Sequence, residues 1–258
     1  MNAAASTPEP QPPVESLDYH DNGALRSRSH LVEGKLEGEV QTFAPEGSLM
    51  ESHRFRSGVL DGESLTYYSD GRVASRATFK AGKLYGEVVF YEEDGSHRLR
   101  ASYLHGVLDG PMEIFEGGRL QSRIEHKGGL RDGEMTTFGD AGSPTSRMIY
   151  AEGKPEGEAT WFTPEGQLQR RATFRDGRLE GESTTYYPSG EIQEQAFYVA
   201  GELEGEVQRF YEDGTLQSRQ LFTGGEPQGE AEEYDPKGRR VQREKKNGLL
   251  DRIGLGGG

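Results

Sequence analysis

One glycine-spaced phrase fills most of the chain. "GKLEGEVQTFAPEGSLMESHRFRSG" (34–58) runs directly into "GVLDGESLTYYSDGRVASRATFKAG" (58–82), which is nearly the same phrase. The start position recurs at Gly34, Gly58, Gly82, Gly106, Gly129, Gly153, Gly177, Gly201 and Gly225, with a period of 24 residues and one step of 23 between Gly106 and Gly129. A fixed period of this kind marks a stacked architecture in which each copy touches mainly its neighbours. A half repeat (18–34) precedes the array.

Four columns define the unit. A second glycine lies four residues after each start (Gly38, Gly62, Gly86 and so on), and a third lies thirteen after it in all but one copy (Gly47, Gly71, Gly95, then Gly118). A first aromatic column runs Phe43, Tyr67, Tyr91, Phe115, Phe138, Phe162, Tyr186, Phe210, Tyr234. A second runs Phe55, Phe79, Tyr103, Tyr150, Phe174, Tyr198, Phe222, broken by His126 and Lys246. The segments "PEG", "SDG" and "EDG" before the third glycine predict a three-residue hairpin loop, a type I turn closed by glycine in a G1 bulge. That loop sets Phe43 opposite Leu49, and a period of two places Phe55 on their face. "GxLxG" is read as the tight return to the next hairpin. A helix is excluded, because glycine would interrupt it twice per copy at about 1 kcal/mol each.

The prediction is an all-β fold, an elongated single-layer meander of about nine to ten antiparallel β-hairpin repeats. Residues 1–16 read as a disordered Pro/Ala-rich arm, 17–248 as the array and 249–258 as a flexible Gly-rich tail. Only 32% of residues are hydrophobic and 37 are glycine, so packing is expected to be thin and local. The net charge of −14 disfavours nucleic acid and anionic membranes as partners, although a local basic stripe is compatible with it. Cysteine is absent, which rules out disulfides and thiolate metal sites and fits the cytoplasm. No basic segment followed by an apolar one opens the chain, and no apolar run approaches 18 residues, so neither a secretion signal nor a spanning helix is expected.

"GKLEGEVQTFAPEG", "GRLEGESTTYYPSG" and "GELEGEVQRFYEDG" resemble MORN repeats (membrane occupation and recognition nexus), most of all the bacterial variant in YwqK-type toxin–antitoxin antitoxin components. The resemblance covers residues 18–248. It implies a protein-binding or scaffolding surface, an antitoxin or immunity-like role toward a partner toxin or effector, and no catalytic residues. Lipid head groups are a second ligand class linked to some such arrays.

The residues themselves suggest no enzyme, cofactor or metal site. The six histidines are scattered over several repeats without metal-ligand spacing, and the acidic turns at 92–95 and 211–214 lack the form of a calcium loop. One polar column stands out: Arg28, Arg76, Arg100, Arg123, Arg147, Arg171, Arg219 and Arg243, interrupted only by Ser52 and Gln195. Strand parity sends it away from the aromatic stripe. It either binds a partner's carboxylates or phosphates, or pairs with the glutamates that start eight of the nine following strands. Trp161, the only tryptophan, is placed on the arginine face diagonal to Arg171, with Phe90 opposite Arg98 and Tyr68 and Tyr187 adding aromatic surface. Trp, Tyr and Arg dominate interface energetics, so these residues are candidates for partner contact. Self-association through the open sheet edges is the further alternative.

Overall fold

A computed structural model describes residues 12–241. It divides into two compact units meeting at Gly166 and Gln167. Within the described residues, each unit is an open antiparallel sheet in which consecutive strands pair. The first runs from Val14–Tyr19 to Lys154–Phe162, the second from Leu168–Arg175 to Arg240–Val241, and neither contains a helix. Val14–Tyr19 takes in residues 14–16, which composition had placed in the arm; Val14 and Ser16 pair with Leu31 and Ser29, and this backbone pairing orders a strand whose side chains stay exposed. Residues 1–11, the tail at 249–258, Arg243 and Lys246 lie outside the described residues.

The hairpin loops form as the glycines require. Gly47 N donates to Ala44 O at 2.8 Å, Ala44 N donates to Ser48 O at 2.9 Å, and Gly47 has φ 91°. The exceptional repeat carries Gly117–Gly118 between the paired residues Glu116 and Arg119. Both glycines have positive φ, so a two-residue turn replaces the three-residue loop and accounts for the 23-residue step.

The tight return takes in only the first glycine of "GxLxG" and the residue before it. It is also a two-residue turn: Ser57 (φ 51°) and Gly58 (φ 79°) join the paired residues Arg56 and Val59. The turn docks on the preceding strand, because Gly58 N donates to Leu36 O at 2.8 Å and Ser57 N to Glu37 Oε2 at 2.7 Å. Asp61, Asp109, Asp132, Glu180 and Glu204 each accept a turn N–H in the same way. An acidic column thereby satisfies turn donors that hydrogen-bond to no backbone carbonyl.

One expectation fails, with a physical cause. Phe43 opposes Leu49, but Thr42 opposes Glu51, so Met50 is an extra residue in its strand. The same bulge recurs at Ala74, Arg98, Gln121, Thr145, Gln193 and Gln217. An extra residue reverses the alternation beyond it. Phe55 consequently opposes Gly38, an odd number of residues from Phe43, and the two aromatic columns lie on opposite faces.

The face of the second aromatic column carries much of the buried centre. Ala101, Ala159 and Ala172 are 0% exposed, and Val88 pairs with Ala101 on this face. No large side chain is fully buried among the described residues. A single sheet covers each face only with its own side chains, so the most enclosed positions are the small ones beneath larger neighbours.

Candidate functional site

The bulge also relocates the arginine ladder. Arg76 pairs with Leu65 and Arg100 with Val89, each two residues from a first-column aromatic, so the ladder shares the face of Tyr67 and Tyr91 instead of turning away from it. On that face it meets glutamates, among them the strand-start Glu63 and Glu87. Arg76 lies 3.4 Å from Glu63, Arg100 lies 2.7 Å from Glu87 and 3.4 Å from Glu113, and Arg123 lies 3.1 Å from Glu125. In the second unit Arg219 lies 2.6 Å from Glu232. Where arginine is replaced, the column still bonds: Ser52 Oγ donates to Glu39 at 2.6 Å and Gln195 Nε2 to Glu182 at 3.3 Å.

Electrostatics follow the same pairing. The hydrogen bond to Glu87 raises the Arg100 guanidinium above its ordinary pKa. Hydrogen bonds from Tyr234 and then Arg219 hold Glu232 below the ordinary carboxylate value. Most of the ladder is thus engaged within the sheet, and such half-exposed pairs contribute little stability individually. Arg147 differs. Its guanidinium lies 5.9 Å from the centre of the Phe162 ring, beside a shallow groove lined by Glu134, Thr136, Phe138 and Arg123.

Trp161 does not share the ladder's face. It pairs with Ser146 while Arg147 pairs with Thr160, so adjacent residues place Trp161 and Arg147 on opposite sides. Trp161 belongs to the first unit, and Arg171, paired with Thr184, to the second. Phe90 and Arg98 do meet: the guanidinium of Arg98, the bulge residue, lies 5.4 Å from the ring centre. Tyr68 and Tyr187 are tied inward, their hydroxyls donating to Tyr91 O at 2.6 Å and Phe210 O at 2.8 Å. Tyr211 donates likewise to Tyr234 O, and His20 Nε2 to Phe43 O. Each of these bonds ties a hairpin end to the next repeat's first-column carbonyl.

A surface that the sequence reading missed runs along the tight returns of the first unit. The pairs flanking these turns are Val32–Lys35, Arg56–Val59, Lys80–Lys83, Leu104–Val107, Lys127–Leu130 and Ala151–Lys154. None is acidic, in a chain of net charge −14. Lying one residue from Phe55 and Leu60, Arg56 and Val59 project to the opposite side, that of the ladder. Val59, Leu104, Val107 and Leu130 are 44–52% exposed. Lys35, Lys83 and Lys127 make no ion pair among the described residues. The second unit loses the pattern, with Arg175–Arg178 followed by Val199–Glu202 and Thr223–Glu226. The signal was legible as two columns, one on each side of the turn, that hold only basic and apolar residues.

Comparison with known proteins bears on the repeats. Residues 60–81, 155–176, 179–200 and 203–223 match the MORN repeat variant, together about a third of the chain. No curated protein matches the sequence. Among solved structures, a GtfA/B complex bound to UDP and GlcNAc is 12% identical over 45% of this chain and 22% of that one, with a TM-score of 0.20. A TcdB2-TccC3-Cdc42 structure is 13% identical over 88% of this chain and 13% of that one, at 0.22. A Photorhabdus luminescens Tc holotoxin pore is 15% identical over 88% and 17%, at 0.23. The chain spans less than a quarter of each. At these scores none of them bears on its fold or function.

Proposed function

We propose that this MORN-repeat protein is a non-enzymatic binding protein that engages a partner protein along its sheet surface. The observation that carries this reading is the return-edge stripe. Consecutive repeats present exposed aliphatic and cationic side chains in line, and exposed patches of this kind mark interaction sites. The finer reading is an antitoxin or immunity-like protein that neutralises a toxin or effector by binding it in the cytoplasm. It is supported by the likeness of "GKLEGEVQTFAPEG" and its copies to the bacterial antitoxin variant, and the absence of cysteine suits that compartment.

Self-association is the second reading, favoured by Val14–Tyr19. Among the described residues this strand pairs on one side only, and Val14 and Tyr19 are 65% and 52% exposed. Such an edge is a template for another strand. The test is to isolate the tagged protein from its native host under gentle conditions, with cross-linking and mass spectrometry. One stoichiometric protein cross-linked to the return edge is expected, and toxicity of that protein alone would support the antitoxin reading. Self cross-links alone would replace the binding reading with a scaffold.

A further inference from the structure

We infer that the return-edge stripe of the first unit binds an extended acidic segment of a protein, one that also carries aliphatic side chains. This rests on the binding reading above and supplies the chemistry of the partner. Charge complementarity is the first argument. Lys83 and Lys127 are exposed and make no ion pair among the described residues. The nearby carboxylates of Asp61, Asp109 and Asp132 are drawn back onto turn N–H groups at 3.0–3.2 Å. Carboxylates arriving from outside find open ammonium groups there, and the adjacent Val107 and Leu130 offer apolar contact.

Width decides between a peptide and a membrane. Each rung is one cross-strand pair, about 5 Å between Cα atoms. Farther along the same strands, on the ladder's face, lie Glu63, Glu87 and Glu134. Glu63 and Glu87 are already paired with Arg76 and Arg100, so a flat anionic surface gains no open cations there, whereas a single extended chain matches the width of the rungs. Spacing gives the register. Rungs two strands apart repeat at about 10 Å, and an extended chain advances about 3.3 Å per residue, so every third residue of the matching segment meets a rung, with acids at the lysine rungs and an aliphatic residue at Leu104–Val107.

The experiment uses the full chain and a fluorescein-labelled 18-residue peptide of Glu-Leu-Ser repeats, followed by anisotropy at low salt. Binding is expected, weakened by added salt and abolished when Gln replaces every Glu of the peptide. Lys83→Glu with Lys127→Glu is expected to weaken it about tenfold. Lys83→Gln with Lys127→Gln, a gentler change at the same exposed positions, should weaken it less. Val107→Ser with Leu130→Ser should weaken it about threefold while leaving the salt dependence intact. Each variant is first matched to wild type by circular dichroism and urea unfolding. No peptide binding by the wild type, or equal binding by the charge-reversed pair, overturns the proposal. So does sedimentation with phosphatidylserine vesicles, lost in that pair, without peptide binding. If a natural partner is captured equally by wild type and the charge-reversed pair, the stripe assignment fails while the binding reading stands.

Discussion

Gly62→Ala is expected to destabilise the first unit by about 3 kcal/mol, and Gly38→Ala, four residues after the preceding repeat start, by only about 1 kcal/mol. Both glycines occupy the same column, but their surroundings differ. Gly62 has φ +132°, and a Cβ built there falls 2.9 Å from the Cβ of Arg54, an atom fixed to the neighbouring backbone. Gly38 has φ +81°, with nothing within 4 Å of its added Cβ. The difference arises at the return. Phe55 pairs with Leu60 and His53 with Ser64, so Arg54 alone opposes residues 61–63 and the chain crowds against it. At Gly38 the strand is interrupted between Lys35–Leu36 and Gly38–Phe43, which leaves room. Urea unfolding of the full-length variants measures both effects within one unit. Equal shifts would show that the column needs only positive φ, without close approach.

The second large effect concerns volume. Ala101→Ile should cost about 2 kcal/mol, and the double variant Ala101→Ile with Met112→Ala should recover more than half of it. Ala101 is 0% exposed and pairs with Val88 on one side and Met112 on the other. Along this face the small pair Val88–Ala101 is followed by the larger pair Met112–Ile124. Met112 is the direct cross-strand neighbour of Ala101, so moving the bulk across the pair nearly conserves volume. Additive losses in the double variant would mean that Ala101 is covered by something other than Met112.

The period, the G1 loops and the pairing of Phe43 with Leu49 were legible because glycine and turn residues repeat with a direct backbone meaning. Which side chains share a face was not. The extra strand residue is Met50 in one copy, Ala74 in the next, then Arg98, Gln121 and Thr145, so no residue type announces the bulge. Inferences from parity across it, above all the direction of the arginine ladder, were reversed, so Trp161, opposite Phe162 as read, does not share the ladder's face. Tyr68 and Tyr187 were misread for another reason. Each follows a first-column aromatic, as His20 and Tyr211 do, and that recurrence marks a shared backbone partner more than an isolated exposed ring. The acids at Glu37, Asp61 and Asp109 were equally visible as a column, but their role depends on the turn being centred on the first glycine of "GxLxG" and the residue before it.

What any partner meets depends on those faces, so the bulge is the claim to test, and a chain without cysteine permits a direct chemical test. Thr66 opposes Ser75, and their hydroxyls lie 2.7 Å apart, close enough for a cross-strand disulfide in place of the two side chains. Thr66→Cys with Ser75→Cys should oxidise rapidly and completely. Thr66→Cys with Ala74→Cys, the pair that an unbulged hairpin would bring together, should remain reduced under the same conditions. Rapid oxidation of the Ala74 pair alone would contradict the account, returning the arginine ladder and the first aromatic column to opposite faces.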